Sequence, residues 1–169
     1  MKISFIIPTM GRDSLGKTLR SIELWKGDEI LVEVDSPPSG RWGNDQRNLA
    51  MKRAKGDYLA FMDDDDVFVK GHRDIMEKAM LQNSGRPSLF RIKYPDGRIV
   101  WEKAEIVPGN ISTQMILVPN NSKMLSGWKD GRNMADFIFV DNWGWLDSEI
   151  SWRREIICLM GNDKPNYAK

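Results

Sequence analysis

The chain holds one cysteine, Cys158, and one histidine, His72, in 169 residues. A single thiol excludes an intramolecular disulfide framework and points to a reducing compartment. Its simplest role is that of a small buried hydrophobe. No charge sign dominates: the formal net charge is +1, so no global basic field points to nucleic acid. No run approaches the roughly 18 apolar residues of a membrane span. The opening "MKISFIIPTMGR" is not a secretion signal, because Pro8 breaks a short apolar stretch and no small-residue cleavage site follows. Repeats, low-complexity segments and linkers are missing too. One soluble, cytoplasmic domain over 1–169 is the expectation, with a core that needs no staples.

Tryptophan, by contrast, is plentiful, with seven residues. Trp143, Trp145 and Trp152 fall close together, with Trp128 a little upstream. Indoles fill cores, and they also form platforms for flat ligands and sugar rings.

The first half reads as alternating strands and helices. "ISFIIP" lacks strict alternation, as suits a strand covered on both faces. "SLGKTLRSIELW" has Leu15, Leu19 and Ile22 at helical spacing. "EILVEVD" is a second strand ending in Asp35, and "SPPSGRWG" is a loop by composition. "NDQRNLAMKRAKG" opens on a capping Asn44 and stops at Gly56, as a helix does. "DYLAFM" is a third strand, followed by the helix "GHRDIMEKAMLQN". The order βαβαβα implies a parallel sheet with right-handed crossovers. Ligands bind such sheets in the crevice beyond the strands' carboxyl ends. The second half is expected to be mixed. "SLFRIKYP" and "IVWEKAEIV" form a hairpin around Asp96-Gly97, and "ISTQMILVP" is a strand. Residues 124–147 read as loop, and "SEISWRREIICLMG" as a closing helix capped by Ser148.

The third strand runs into Asp63, Asp64, Asp65 and Asp66. Such repulsion needs an offset, either water on an exposed turn or a bound cation. Alternation directs Asp63 and Asp65 to one side, and Asp64 and Asp66 to solvent or to support of the loop. Two carboxylates one residue apart suit half of a Mg²⁺ or Mn²⁺ site whose other half is a diphosphate.

In the stretch "WGNDQRNLAMKRAKGDYLAFMDDDD" the chain resembles the family 2 glycosyltransferases. Arg47-Asn48, Ala54-Lys55-Gly56, Asp57-Tyr58 and the Asp-x-Asp run occur in that family's order, after an apolar strand ending in Pro-Thr and a second strand ending in aspartate. The resemblance covers roughly residues 3–80. It implies a GT-A fold: a Rossmann-like, mostly parallel central sheet flanked by helices, with a nucleotide-binding half of about 1–85 and an acceptor half of about 86–169. It implies that Pro8, Thr9, Arg12 and Asp35 line the nucleotide pocket, Asp35 near the base, and that Arg47 reaches base or phosphates. Asp63 would face ribose or sugar, with Asp64 beside it, and Asp65, helped by Asp63, would hold Mn²⁺ or Mg²⁺ through the diphosphate. The activity implied is metal-dependent, inverting transfer from a UDP-sugar to an unidentified acceptor hydroxyl.

Such transfer needs a general base. "WLDSEISWRRE" repeats the family's spacing of acid, acid and arginine with Asp147, Glu149 and Arg153, although Leu146 stands where the family often has Glu. Asp147 is thus the first candidate, Asp141 the second, and Asp136 ranks behind both. Helix capping is the structural alternative for Asp147. His72 does not match the histidine that completes some metal sites of this fold, and is expected at a helix cap or the surface. Two other readings stay open: nucleotidyl transfer, and an inert nucleotide-sugar-binding module. The short second half implies either a small acceptor or an acceptor surface supplied by a partner or by a second copy in a homo-oligomer.

Overall fold

The computed structural model describes residues 1–121, 124–129 and 134–161. The elements are β1 (Ile3–Thr9), α1 (Leu15–Ser21), β2 (Glu29–Val34), α2 (Asn44–Arg53), β3 (Tyr58–Phe61), β4 (Val67–Phe68), α3 (His72–Gln82), β5 (Ser88–Lys93), β6 (Ile99–Val100), β7 (Ile116–Pro119), α4 (Ala135–Asp141) and β8 (Ser151–Leu159). Among these residues, eight strands form one sheet in the order β2-β1-β3-β7-β5-β8-β4, with β6 on β5. No helix among them is long and apolar enough to cross a membrane.

The first half folds as its sequence predicts. β1 lies between β2 and β3, parallel to both. Every residue of β1 is buried, which is why its apolar run shows no alternation. Gly56 lets the chain cross against β1: a Cβ there would stand 2.5 Å from the Ser4 amide nitrogen. The sheet then changes character. β7 runs antiparallel to both β3 and β5, and β8 runs parallel to β5 through register shifts. The predicted hairpin forms from β5 and β6, antiparallel around the Asp96-Gly97 turn.

Three local readings are corrected. The closing segment is a strand, not a helix: Ser151–Leu159 pairs with β5 on one side and β4 on the other. Its Trp, Ile and Cys residues satisfy a strand within a sheet better than an isolated last helix. Within the segment read as loop, "ADFIFVD" is α4, buried through Ala135, Phe139 and Val140. His72 does open a helix, but it is fully buried and stacked on Phe68 at 4.3 Å. Its Nδ1 lies 3.0 Å from the Val69 carbonyl, and its Nε2 accepts the Glu23 amide at 3.4 Å. Burial holds its pKa below the usual 6.5.

The tryptophans mostly pack. Trp128 stacks on Phe139 at 4.2 Å, and Trp143 meets both Phe139 and Trp145 edge-on. Trp152 sits against Trp101.

Candidate functional site

A cavity of about 440 Å³ opens beyond the carboxyl ends of β1, β2 and β3. The crevice rule for parallel sheets places it there. It is lined by Pro8 and Thr9 at the carboxyl end of β1, by Arg12 just beyond it, by Asp35 after β2, by Arg47 of α2, and by Asp63, Asp64 and Asp65 after β3. These eight residues, scattered over 58 positions of sequence, are those expected at a nucleotide pocket and its cation, and the fold brings them all to one wall.

Asp35 is buried and fixed. Its carboxylate accepts the Ser39 amide at 3.1 Å, the Ser39 hydroxyl at 3.0 Å and Gln46 Nε2 at 2.8 Å. Gly43 adopts φ 76° and lies so close to Pro8 that a Cβ would approach the proline ring within 2.6 Å. The loop after β2 is thereby pressed onto the end of β1.

The acidic tetrad does not behave as a solvated turn. Asp64 and Asp66 are 4% and 2% exposed, so neither points to solvent. Asp64 accepts the Thr9 hydroxyl at 2.6 Å and Arg12 Nη1 at 3.2 Å, on the same cavity wall as Asp63 and Asp65. Strict alternation fails because the chain turns immediately after β3, with the Asp66 amide bonded back to the Asp63 carbonyl. Asp66 supports the turn, as one branch of the sequence reading has it. It accepts Gln114 Nε2 at 2.6 Å and the Gly161 amide at 2.5 Å. Asp65 pairs with Arg12 at 2.9 Å. Asp63 pairs with Arg47 and accepts Gln114 Nε2 at 2.9 Å. Guanidinium and amide groups of the chain itself therefore offset the repulsion.

Arg47 is almost wholly buried. Besides Asp63, it donates to the Trp42 carbonyl at 2.8 Å and to Asn44 Oδ1 at 3.2 Å, and it lies 4.8 Å over the Trp128 ring. The acids near it in sequence, Asp45 and Asp57, are engaged elsewhere, with Arg41 and with the Lys2 amide.

A second cavity, of about 200 Å³, shares Trp42, Arg47 and Asp63 with the first. Its remaining wall is Asn44, Thr113, Ala135 and Asp136. Asp136 sits in the first turn of α4 and accepts the Thr113 hydroxyl at 2.6 Å. Burial, with the nearby Asp63 charge adding to it, raises the Asp136 pKa above the ordinary 3.8, against the pull of Thr113 and Arg47. Asp147 and Asp141 lie differently. Asp147 is exposed on a short turn before β8, and Asp141 is exposed at the end of α4. Neither lines either cavity.

The donor set suits a hard cation only in part. Asp63 and Asp65 offer oxygen ligands to the larger cavity. Among the described residues no group of three or more His, Cys, Asp or Glu side chains could hold a metal ion. The carboxylates fit a Mg²⁺ or Mn²⁺ ion that brings its remaining oxygens on a diphosphate.

The pocket beyond β1–β3 and the paired acids after β3 call for a comparison with sugar-nucleotide enzymes. The model of Glycosyl transferase family 2 matches residues 18–127. The chain belongs to glycosyl transferase family 2. No curated protein matches it in sequence. Among solved structures, S. aureus TarS 1-349 aligns with a TM-score of 0.73 at 17% identity, over 94% of this chain and 60% of that one. TarS 1-349 in complex with UDP-GlcNAc aligns at 0.71 and 15% identity, over 99% and 60%. The complex with UDP aligns at 0.67 and 17% identity, over 94% and 60%. These likenesses show the GT-A fold, and the family 2 chain described here spans 60% of the length of those structures.

Proposed function

We propose that this family 2 chain binds a UDP-sugar and transfers the sugar, with inversion, to an acceptor hydroxyl. The observation that carries the reading is the shared wall. Arg47 and Asp63 line both the larger cavity, with its nucleotide-type residues, and the smaller one, which holds Asp136. A donor with its nucleotide against Asp35 and its diphosphate toward Arg12 and Asp65 would present its anomeric carbon near Asp63. Residues of about 1–85 would hold the donor, and those of about 86–169 the base and part of the acceptor side.

Asp136 is the base in this reading, in place of Asp147. It is the acid that the fold turns toward Asp63, and its raised pKa suits proton abstraction better than that of an ordinary carboxylate. The acceptor oxygen attacks the anomeric carbon, its proton passes to Asp136, and the bond from that carbon to the diphosphate oxygen breaks. Arg12, freed from Asp65, can meet the leaving diphosphate with a forked cation. A divalent cation held by Asp63 and Asp65 would supply charge neutralisation to the leaving group. A single thiol, Cys158, supports a reducing, cytoplasmic setting for this work. The acceptor surface would be completed by a partner or a second copy.

The test is UDP release from UDP-sugars with Mn²⁺, with Mg²⁺ and with EDTA, alongside calorimetric binding of UDP. Turnover that needs the metal and is lost in Asp136→Asn supports the reading. Metal-dependent UDP binding without any sugar release or transfer would reduce the chain to a binding module.

A further inference from the structure

Trp42 is the most exposed of the tryptophans, ahead of Trp25 at 44%, whose ring is covered by Arg73. Trp42 is 68% exposed, whereas Trp128, Trp101 and Trp143 are buried. Among the described residues it is also the one non-glycine residue with positive φ, at 57°. A bulky side chain in the left-handed region is costly, and such strain persists where the surroundings enforce it. Here the enforcing contacts are visible. The Trp42 carbonyl accepts Arg47 Nη1 at 2.8 Å, and Gly43, which follows, is pressed on Pro8. Arg47 in turn holds Asp63. The backbone of Trp42 is thus tied to the acid that lines both cavities, and the residue itself, largely exposed, lines both.

We propose that Trp42 is the platform for the transferred sugar, a specificity-determining residue at the junction between nucleotide cavity and base. The assignment rests on the donor reading above. A hexose ring presents a face of axial C–H groups, which suits the electron-rich face of an indole. A nucleotide seated against Asp35 and Asp65 puts its sugar, and not its base, at that junction. The turn fixes the backbone that carries the indole relative to Asp63.

The experiment compares UDP and UDP-GlcNAc binding by calorimetry, with Mn²⁺ present, for the wild-type chain, Trp42→Ala and Trp42→Phe. Trp42→Ala should weaken UDP-GlcNAc roughly tenfold and leave UDP within about twofold, the scale of one lost aromatic contact. Trp42→Phe should recover most of the loss. Equal weakening of both ligands would overturn the proposal, since the indole would then serve the nucleotide or the fold of the loop. An unchanged Trp42→Ala would overturn it as well. If the wild-type chain binds neither ligand, the donor reading itself fails, and the platform with it.

Discussion

Gln114 ties the second half of the chain to the acid cluster, and removing its amide is the sharpest test of the site's architecture. The side chain is 1% exposed. Its Nε2 donates to Asp63 at 2.9 Å and to Asp66 at 2.6 Å, while its Oε1 accepts the Ser112 hydroxyl at 2.6 Å. Hydrogen bonds to ionised groups are worth about 1.5–3 kcal/mol each. Gln114→Leu keeps most of the volume, loses both donors, and regains roughly 1 kcal/mol from extra apolar burial. The net cost should be about 3 kcal/mol, a fall in Tm of roughly 6–12 °C for a chain of this size. Urea unfolding followed by tryptophan fluorescence measures it, with an unchanged m-value showing that the comparison is clean. Gln114→Glu should cost more at pH 7, because a third carboxylate meets Asp63 and Asp66, and should recover as the pH falls and the new acid protonates. A loss below about 0.5 kcal/mol in Gln114→Leu would refute the bridging role, whatever the activity.

The remaining predictions concern charge. Asp136→Asn should abolish transfer yet raise stability at neutral pH. A raised folded pKa favours folding below about 3.8 and costs stability as pH rises through it, so the gain should vanish in acid, as melting curves from pH 3 to 8 would register. In the wild-type chain the acid limb of kcat/KM should lie above the ordinary carboxylate range. His72 has a lowered folded pKa, so the stability it allows is full above 6.5 and is lost as pH falls from 6.5 toward the folded value. His72→Gln should flatten that slope in urea titrations, after whatever constant loss the repacking brings. Arg12→Ala removes the cation paired with Asp64 and Asp65 and should strengthen Mn²⁺ binding without UDP several-fold, while weakening UDP binding in the presence of Mn²⁺. Calorimetric titrations in both orders measure the two effects.

The convergence of the larger cavity's residues was legible because they sit in contiguous motifs on a βαβαβ frame. Pro8, Thr9, Asp35, Arg47 and Asp63 each follow a strand or open a helix that local patterning identifies, and parallel topology then converges them. The second half was not, for three separate reasons. "SWRREIICL" carries apolar residues at spacings that serve a helix or an irregular strand, and pairing with β5 and β4 decides between them. "ADFIFVD" is nearly all apolar, so its helix comes from packing around Phe139 and not from periodicity, which hid Asp136 at its start. Gln114 belongs to no motif. Its one signal was an amide inside the apolar run "ISTQMILVP", where a polar side chain must find a partner. The alternation argument for the tetrad fell because a turn replaces the strand at Asp63.

β7 enters the sheet between β3 and β5, against the direction of the first, and it begins two residues after Gln114, which bridges Asp63 and Asp66. This makes the chain poor material for modular exchange. A recombinant that grafted a foreign second half after about residue 85 would strip β3 of its neighbour and the acids of their amide donors, leaving a sticky edge beside unpaired charges. Diversification of such a molecule has to proceed by point changes and loop insertions around a retained β7, not by shuffling halves.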